Sequence, residues 1–520
     1  MKKRTSIPFI LFLIISALSA KEVYFPNTLR RDGIDPDKSS SKWCYARSRE
    51  SENVVVFWEP GFGNDPSTAS GNYRVDMDKL LQGAEKAYAF NVDSLKFVNK
   101  GSSVTDNYKL IIFLLYSTDW VANGSGYDDQ VGSMQVSSAA AKSEPVIAHE
   151  MGHCFQYITG CDTEGGYRYG FGENGSGGNG FWEQCAQWQA YKVYPEEQFR
   201  VHHFDQYIKC NHLHILHEDP LYANYFLPDY WTIKHDITFT AKLWRESRYP
   251  EDPVETYKRL NSLNQDQFND EMYEHAARLT TWDLPLIKSY GKNYIDKRDQ
   301  VKMNLTPDNF WHIDHTVCIE NYGYNSIKLN APSRATDVTV HFKGCAGANG
   351  FRAIKTESGG WRYGFVALLE NGERIYSDMG TANVEDGLNP EQSLTFSCPD
   401  NCSKLWLVVS GAPQEHWKHP WDEDYSNDEQ WPYQVKFRNT NLLGQETEAQ
   451  KPLVMNLPTH VNPTFLARTI YLPRNCKWQV TTLSGKKIKS GYGKVLDISE
   501  FSGGVYMLSY SGRHLRFMKR

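Results

Sequence analysis

Two histidines four residues apart, with a glutamate beside the first, constrain this chain more than any other stretch: His149-Glu150-Met151-Gly152-His153. Residues i and i+4 share one face of an α-helix, so both imidazoles reach a common point only if the segment is helical. The flanks agree. Ser143 is placed to cap, Glu144 and Pro145 suit a first turn, and Ile147, Met151, Cys154, Phe155 and Ile158 form a separate apolar stripe. The helix is therefore expected to anchor that stripe in a core while its histidine face looks into a cleft. Two imidazoles there, with Glu150 rotated toward the open coordination position, make part of the donor set of one zinc ion.

A zinc that also holds a water needs a third protein ligand. Glu183 is the best placed. It lies in FWEQCAQW, and Ala186 and Ala190 on its side of that helix would allow close approach to the first one. Glu173 has a workable separation too, but sits in GGYRYGFGENGSGGNG, from Gly165 to Gly180, where so many glycines exclude regular structure. With a metal bound, Glu150 would act as general base toward the attacking water. An oxyanion donor must come from elsewhere. His202, His203, Tyr222, Tyr225 and Tyr230 all lie downstream, and Tyr225 and Tyr230, in YANYFLPDYWTIKH, are the candidates taken. Gln156, at i+3 from His153, is expected either to hydrogen-bond a ligand or to cap the helix end. His212, His214 and His217 form a further cluster, explained by a second metal or by surface polarity.

The order of elements around the motif is strand, helix, strand, strand, helix. VVVFWE (54–59), MDKLLQGAEKAYAF, YKLIIFLLYS (108–117) and VGSMQVSSA (131–139) precede the motif helix, which predicts a mixed sheet with its crossover helix on one face. The strand at Val131 to Val136 is expected at a sheet edge, either open to strand addition by an extended peptide or purely structural. Residues 196–299 read as helical. From about Trp311, short alternating strands separated by turn residues read as a β-sandwich over 309–440; a polar linker, 441–451, and a second β unit, 452–520, follow.

At the start, Lys2, Lys3 and Arg4 precede an apolar run from Ile7 to Leu18, the pattern of a secretory signal peptide over residues 1–20. No later segment is long and apolar enough to span a bilayer, so no transmembrane segment is expected in the mature chain. Export permits disulfides, and the even count of ten cysteines suggests one to three staples, Cys398 and Cys402 being close enough for a small loop. With 56 basic against 62 acidic residues and a net charge of -6, the chain offers no general cationic field for a phosphate backbone, which excludes nucleic acid as an expected partner. HWKHPWDEDYSNDEQW, from His416 to Trp431, crowds acidic and aromatic residues that suit a Ca2+ ion, sugar rings or a solvated loop.

HEMGHCFQ followed by GNGFWEQCAQW resembles the gluzincin metallopeptidases, and the whole arrangement looks like an uncharacterised family of secreted bacterial proteins that join such a domain to a β-sandwich. The resemblance implies one zinc on His149, His153 and Glu183, with Glu150 as base and acid, and a protein or peptide substrate, glycoproteins included. It also implies a zincin-like α/β domain with an active-site helix and a helical rear, expected over 21–308. TLSGKKIKSG, LDISEFSGGVYMLSYSG and the basic end RFMKR are similar to the type A sorting domain of type IX secretion. That similarity implies a small immunoglobulin-like β-sandwich, recognition by the type IX secretion machinery, and a secreted or cell-surface protein. The expected fold is thus multidomain α/β plus β. The alternative to a hydrolase is a catalytically inactive adhesin or glycan-binding protein on a degenerate peptidase fold; Glu183 separates the two, because only the hydrolase must use a third ligand.

Overall fold

The computed structural model describes residues 20–163, 166–169, 179–447, 464–466, 469–511 and 513–519. The expected signal segment up to residue 19, Glu173 and the start of the second β unit lie outside them. The histidine helix rests on a sheet of five strands: β1 (Ser48–Glu50), β2 (Val54–Trp58), β3 (Leu110–Leu115), β4 (Ala122–Tyr127) and β5 (Val131–Ser137). Their order is β1-β2-β3-β5-β4. The inner three run parallel, and each outer strand is antiparallel to its neighbour. β2 and β3 are apolar on both faces because both faces are covered. Val54, Val56, Ile112 and Leu114 face the main core with helices α1 (Met77–Ala89) and α2 (Glu144–Asp162), whereas Val55, Phe57, Ile111 and Phe113 pack on Phe25, Leu29 and Trp43.

β5 is not the edge that the sequence suggests. It lies between β3 and β4, and the edge is β4, whose sequence ANGSGY carries no strand signal. Its glycines have a packing cause. A Cβ on Gly124 would lie 2.3 Å from the Glu150 carbonyl oxygen, and one on Gly126 2.1 Å from the Tyr157 ring, so β4 can lie on α2 only without side chains there.

Behind the loop follow α3 (Asn179–Val193), α4 (His202–Cys210), α5 (Leu227–Lys234) and α6 (Gln265–Leu279). Pro145 sits in the first turn of α2 as expected, but the Ser143 hydroxyl makes no capping bond. α3 packs directly on α2 where Gly152 faces Ala186: a Cβ on Gly152 would lie 3.0 Å from the Ala186 Cα. The buried Lys192 of α3 bonds Asp229 of α5 at 2.5 Å, and the same carboxylate accepts from the Trp188 indole at 2.9 Å, which pins the helical region behind the sheet.

The sandwich begins earlier than expected, with β6 (Met303–Leu305) and β7 (Trp311–Ile313), and continues through β8 (Tyr324–Leu329), β9 (Thr336–Gly344), β10 (Gly360–Leu369), β11 (Arg374–Tyr376), β12 (Gly380–Asn383), β13 (Glu391–Cys398), β14 (Cys402–Gly411) and β15 (Tyr433–Arg438). Its two antiparallel sheets run β11-β10-β14-β8, with β12 beside β10, and β13-β9-β15-β7-β6. It forms one compact unit, reaching Thr447, with the helical region. Arg362 of β10, 2% exposed, donates to Asp270 and Asp266 of α6 at 2.8 and 2.9 Å. The stretch 416–431, expected to suit a calcium ion, sugar rings or a solvated loop, is solvent-exposed over 422–427, while several of its side chains bond the helical region. His416 meets Asp252 at 2.8 Å, His419 meets Glu218 at 3.2 Å, and Tyr425 donates to Asp219 at 2.6 Å.

The second unit, from Glu448, holds β16 (Thr464–Leu466), β17 (Thr469–Thr482), β18 (Lys487–Asp497), β19 (Gly504–Tyr510) and β20 (Arg513–Lys519), linked in the order β16-β20-β19-β17-β18 around Val480, Leu496, Leu508 and Phe517. The ten cysteines are free thiols, so the expected staples are not formed; Cys154 and Cys185 serve as small apolar residues in the main core.

Because β4 touches α2 through backbone alone, Gly124→Ala is expected to lower stability by about 1–3 kcal/mol through overpacking, read from the urea midpoint beside the parent.

Candidate metal centre

One turn of α2 brings His149 and His153 together, and the close approach of α3 adds Glu183. The three Nε2 and Oε2 atoms form a nearly equilateral triangle: His149 to His153 3.0 Å, His149 to Glu183 3.1 Å, His153 to Glu183 3.1 Å. All three side chains are almost wholly buried. One proton cannot bridge three edges, and protonating both rings would set two cations 3.0 Å apart. A dication answers the geometry. The edges of a tetrahedron with bonds of about 2.0 Å are roughly 3.3 Å, close to this spacing. These residues therefore fit a metal ion held by two imidazoles and a carboxylate.

The electrostatics agree. Burial alone would raise the Glu183 carboxyl, but His153 and His149 hold it well below the usual carboxylate range. Burial likewise disfavours the charged His153 ring, yet Glu183 raises its pKa overall. Glu150 shows the reverse balance: burial pushes its carboxyl up against the pull of both histidines.

The triangle lies at the floor of a cleft of about 850 Å³. β4 forms one wall, with Trp120 at its rim 65% exposed. His202, His203 and Tyr222 also line the cleft. Tyr222 lies against His149, ring centroids 6.0 Å apart, and stacks on His203 at 5.4 Å. Burial and the Glu183 and Glu150 carboxylates push its phenol up to about 12, so it stays a hydrogen-bond donor. Burial, with His202 and His149, lowers His203 to about 4, which keeps the ring neutral. Gln187 Nε2 lies 3.0 Å from His203 Nδ1 and donates to it, leaving the ring proton on Nε2.

Tyr225 and Tyr230, taken as candidates from the sequence, are not in the cleft. Tyr225 is fully buried, donates to the Gln198 carbonyl at 2.5 Å and packs on Tyr191 and Phe226. Tyr230 donates to Glu274 at 3.0 Å. Both belong to the helical core. Tyr222 precedes them on a turn that leaves it 39% exposed, and no spacing in the sequence separates it from its neighbours. Gln156 meets the first of its two expectations. It lies within α2, six residues before the end, and its Oε1 is 2.9 Å from His153 Nδ1.

The histidines at 212, 214 and 217 do not form a trio. His217 lies instead with Glu218 and His419, and with Glu320 and Asp428, buried groups spaced closely enough for a metal. Their chemistry argues otherwise. The Asp219 N–H donates to His217 Nδ1 at 3.0 Å, so the Nδ1 lone pair is engaged and the ring proton falls on Nε2, which therefore offers no lone pair to a metal. Calcium fits worse, since it takes six to eight oxygens.

No helix among the described residues is long and apolar enough to cross a membrane. The model of one family, described as a family of unknown function (DUF6055), matches residues 15–444. No curated protein matches the chain.

If the triangle holds a metal, zinc at about 100 times its dissociation constant should stabilise the parent by about 2.7 kcal/mol and leave His153→Ala unmoved; thermal unfolding with and without zinc checks this.

Proposed function

The chain belongs to the DUF6055 family, whose function is unknown, and from its own residues we propose that it is a secreted zinc-dependent metallopeptidase that hydrolyses peptide bonds with Glu150 as general base. The observation that carries this reading is the buried triangle of His149, His153 and Glu183 at the floor of an open cleft beside Glu150. A scaffold that only binds has no reason to collect three electron-pair donors there. Zinc in that place would polarise a carbonyl and lower the pKa of a water toward about 7.

The chain's own groups supply the rest. Glu150 takes a proton from the attacking water and delivers it to the leaving amine. The Tyr222 hydroxyl and the Nε2–H of His203, both neutral donors lining the cleft, stabilise the oxyanion as charge develops. β4 presents an unpaired edge along the cleft, where an extended peptide can add as a further strand. Trp120, Val121 and Val146 offer apolar surface for its side chains. The zincin-like character of the sheet and helices belongs to this same reading.

Export rests on the basic and apolar start of the chain, and the second β unit is read as the type A sorting domain addressed to type IX secretion. The mature protein is then secreted or surface-bound.

Peptide-library hydrolysis with zinc-loaded protein tests the reading. Glu150→Gln should abolish turnover while retaining about one zinc per chain, and Glu183→Ala should lose both. Tyr222→Phe should keep the metal and lower kcat by about 10²–10³, as removal of an oxyanion donor does. Absence of zinc from the refolded parent would move the proposal to the adhesin alternative.

A further inference from the structure

Three amide side chains behind His153, which the mechanism leaves unused, form a hydrogen-bonded line whose direction is fixed at both ends. Asn91 sits in the π-helical turn Phe90–Ser94 that follows α1, Gln189 on α3, and Gln156 on α2; all three are fully buried. Asn91 Nδ2 donates to the Ala87 carbonyl at 3.0 Å, and Asn91 Oδ1 accepts from Gln189 Nε2 at 2.6 Å. Gln189 Oε1 accepts from Gln156 Nε2 at 3.2 Å, and the same Nε2 donates to the Trp182 carbonyl at 3.0 Å. Gln156 Oε1 then faces His153 Nδ1 at 2.9 Å.

A backbone carbonyl can only accept. The amide atom beside Ala87 O and the one beside Trp182 O must therefore both be nitrogens, and the two assignments, made independently, agree along the line. Turning any member over would set two buried acceptors against each other. Gln156 thus presents an acceptor to His153, and the ring nitrogen facing it must carry the proton. Among the described residues, His149 has no such partner on its Nδ1.

We infer that Asn91, Gln189 and Gln156 form a directional amide relay that holds His153 with its proton on Nδ1 and its Nε2 lone pair at the metal position, so that the three are positioning residues for the site. The inference rests on the zinc reading above. It also gives Gly152 a second reason to lack a side chain: a Cβ there would lie 2.9 Å from Gln189 Oε1, displacing the middle of the relay. Partners of this kind fix the orientation of a ligating ring and raise its basicity.

The test is zinc affinity by chelator competition on the full chain, with near-ultraviolet circular dichroism of each metal-free variant to establish native packing. Gln156→Met should weaken zinc binding by about 10–100-fold. Gln189→Met, which leaves the Gln156 to His153 bond in reach, should weaken it less. A second readout separates positioning from packing. In zinc-loaded protein labelled with 15N-histidine, the Nδ1–H of His153 should resist solvent exchange in the parent and exchange rapidly in Gln156→Met. Natively packed Gln156→Met with parental affinity and a protected Nδ1–H would overturn the relay and leave the metallopeptidase reading standing. Should Gln156→Met not fold, parental affinity in Gln189→Met would overturn it equally. A parent that binds no zinc would bring down both readings.

Discussion

A buried triangle of two ring nitrogens and a carboxylate oxygen, each about 3 Å from the others, repels itself unless positive charge sits among the three. The surrounding fold is organised to hold that triangle. Helical spacing places the imidazoles, but the carboxylate arrives only because α3 meets α2 at Gly152 and Ala186, where no side chain stands between the backbones. α2 in turn is held by β4, again through glycine, and by the apolar stripe of Ile147, Met151, Cys154, Phe155 and Ile158 in the main core. The small residues around the site are thus as much a part of it as the ligands.

That dependence explains which parts were legible in the sequence. The histidine pair and the apolar stripe are local patterns with a period, the inner strands are continuous apolar runs, and each is legible without tertiary context. Glu183 was legible because alanines at i+3 and i+7 announce a close helix contact. β4 was not, because its glycines read as a turn; they serve a tertiary contact that local propensity opposes. The tyrosines fail for another reason. Tyr222 and Tyr225 stand three residues apart in one turn, and whether either faces the cleft depends on how the chain between α4 and α5 is anchored, which no short-range pattern records. The crowded segment at 416–431 looked like a ligand surface because its composition is polar and aromatic, yet His416, His419 and Tyr425 are taken up by partners on the helical region, and residues 422–427 are exposed.

The anchoring of the chain between α4 and α5 shows what the sandwich contributes. This stretch carries Tyr222 and follows the helix that carries His203, and most of it has no regular hydrogen-bond ladder. Side chains hold it instead. From one side Gln184, the residue after Glu183, donates to the Ile215 carbonyl at 2.6 Å, and Asn224 donates to the same oxygen at 2.7 Å. From the other side the sandwich holds it: Glu320 accepts from the His214 N–H at 2.8 Å, Asn211 donates to the Tyr324 carbonyl at 2.8 Å, and Glu218 accepts from the Glu423 N–H at 2.9 Å.

Such a seam has an energetic cost, since it buries Glu320 beside Glu429 and Asp428; burial first, and then those neighbouring acids, push the Glu320 carboxyl well above the usual range. A module tethered merely for substrate capture would not need buried acids at its attachment. Their presence follows if the sandwich forms part of the wall that fixes the cleft, with Glu320 holding the backbone at His214 in the stretch that presents Tyr222 to the metal position. On that argument the helix bearing Glu183 and the sandwich act together on one irregular stretch of chain, and Tyr222 owes its place to both.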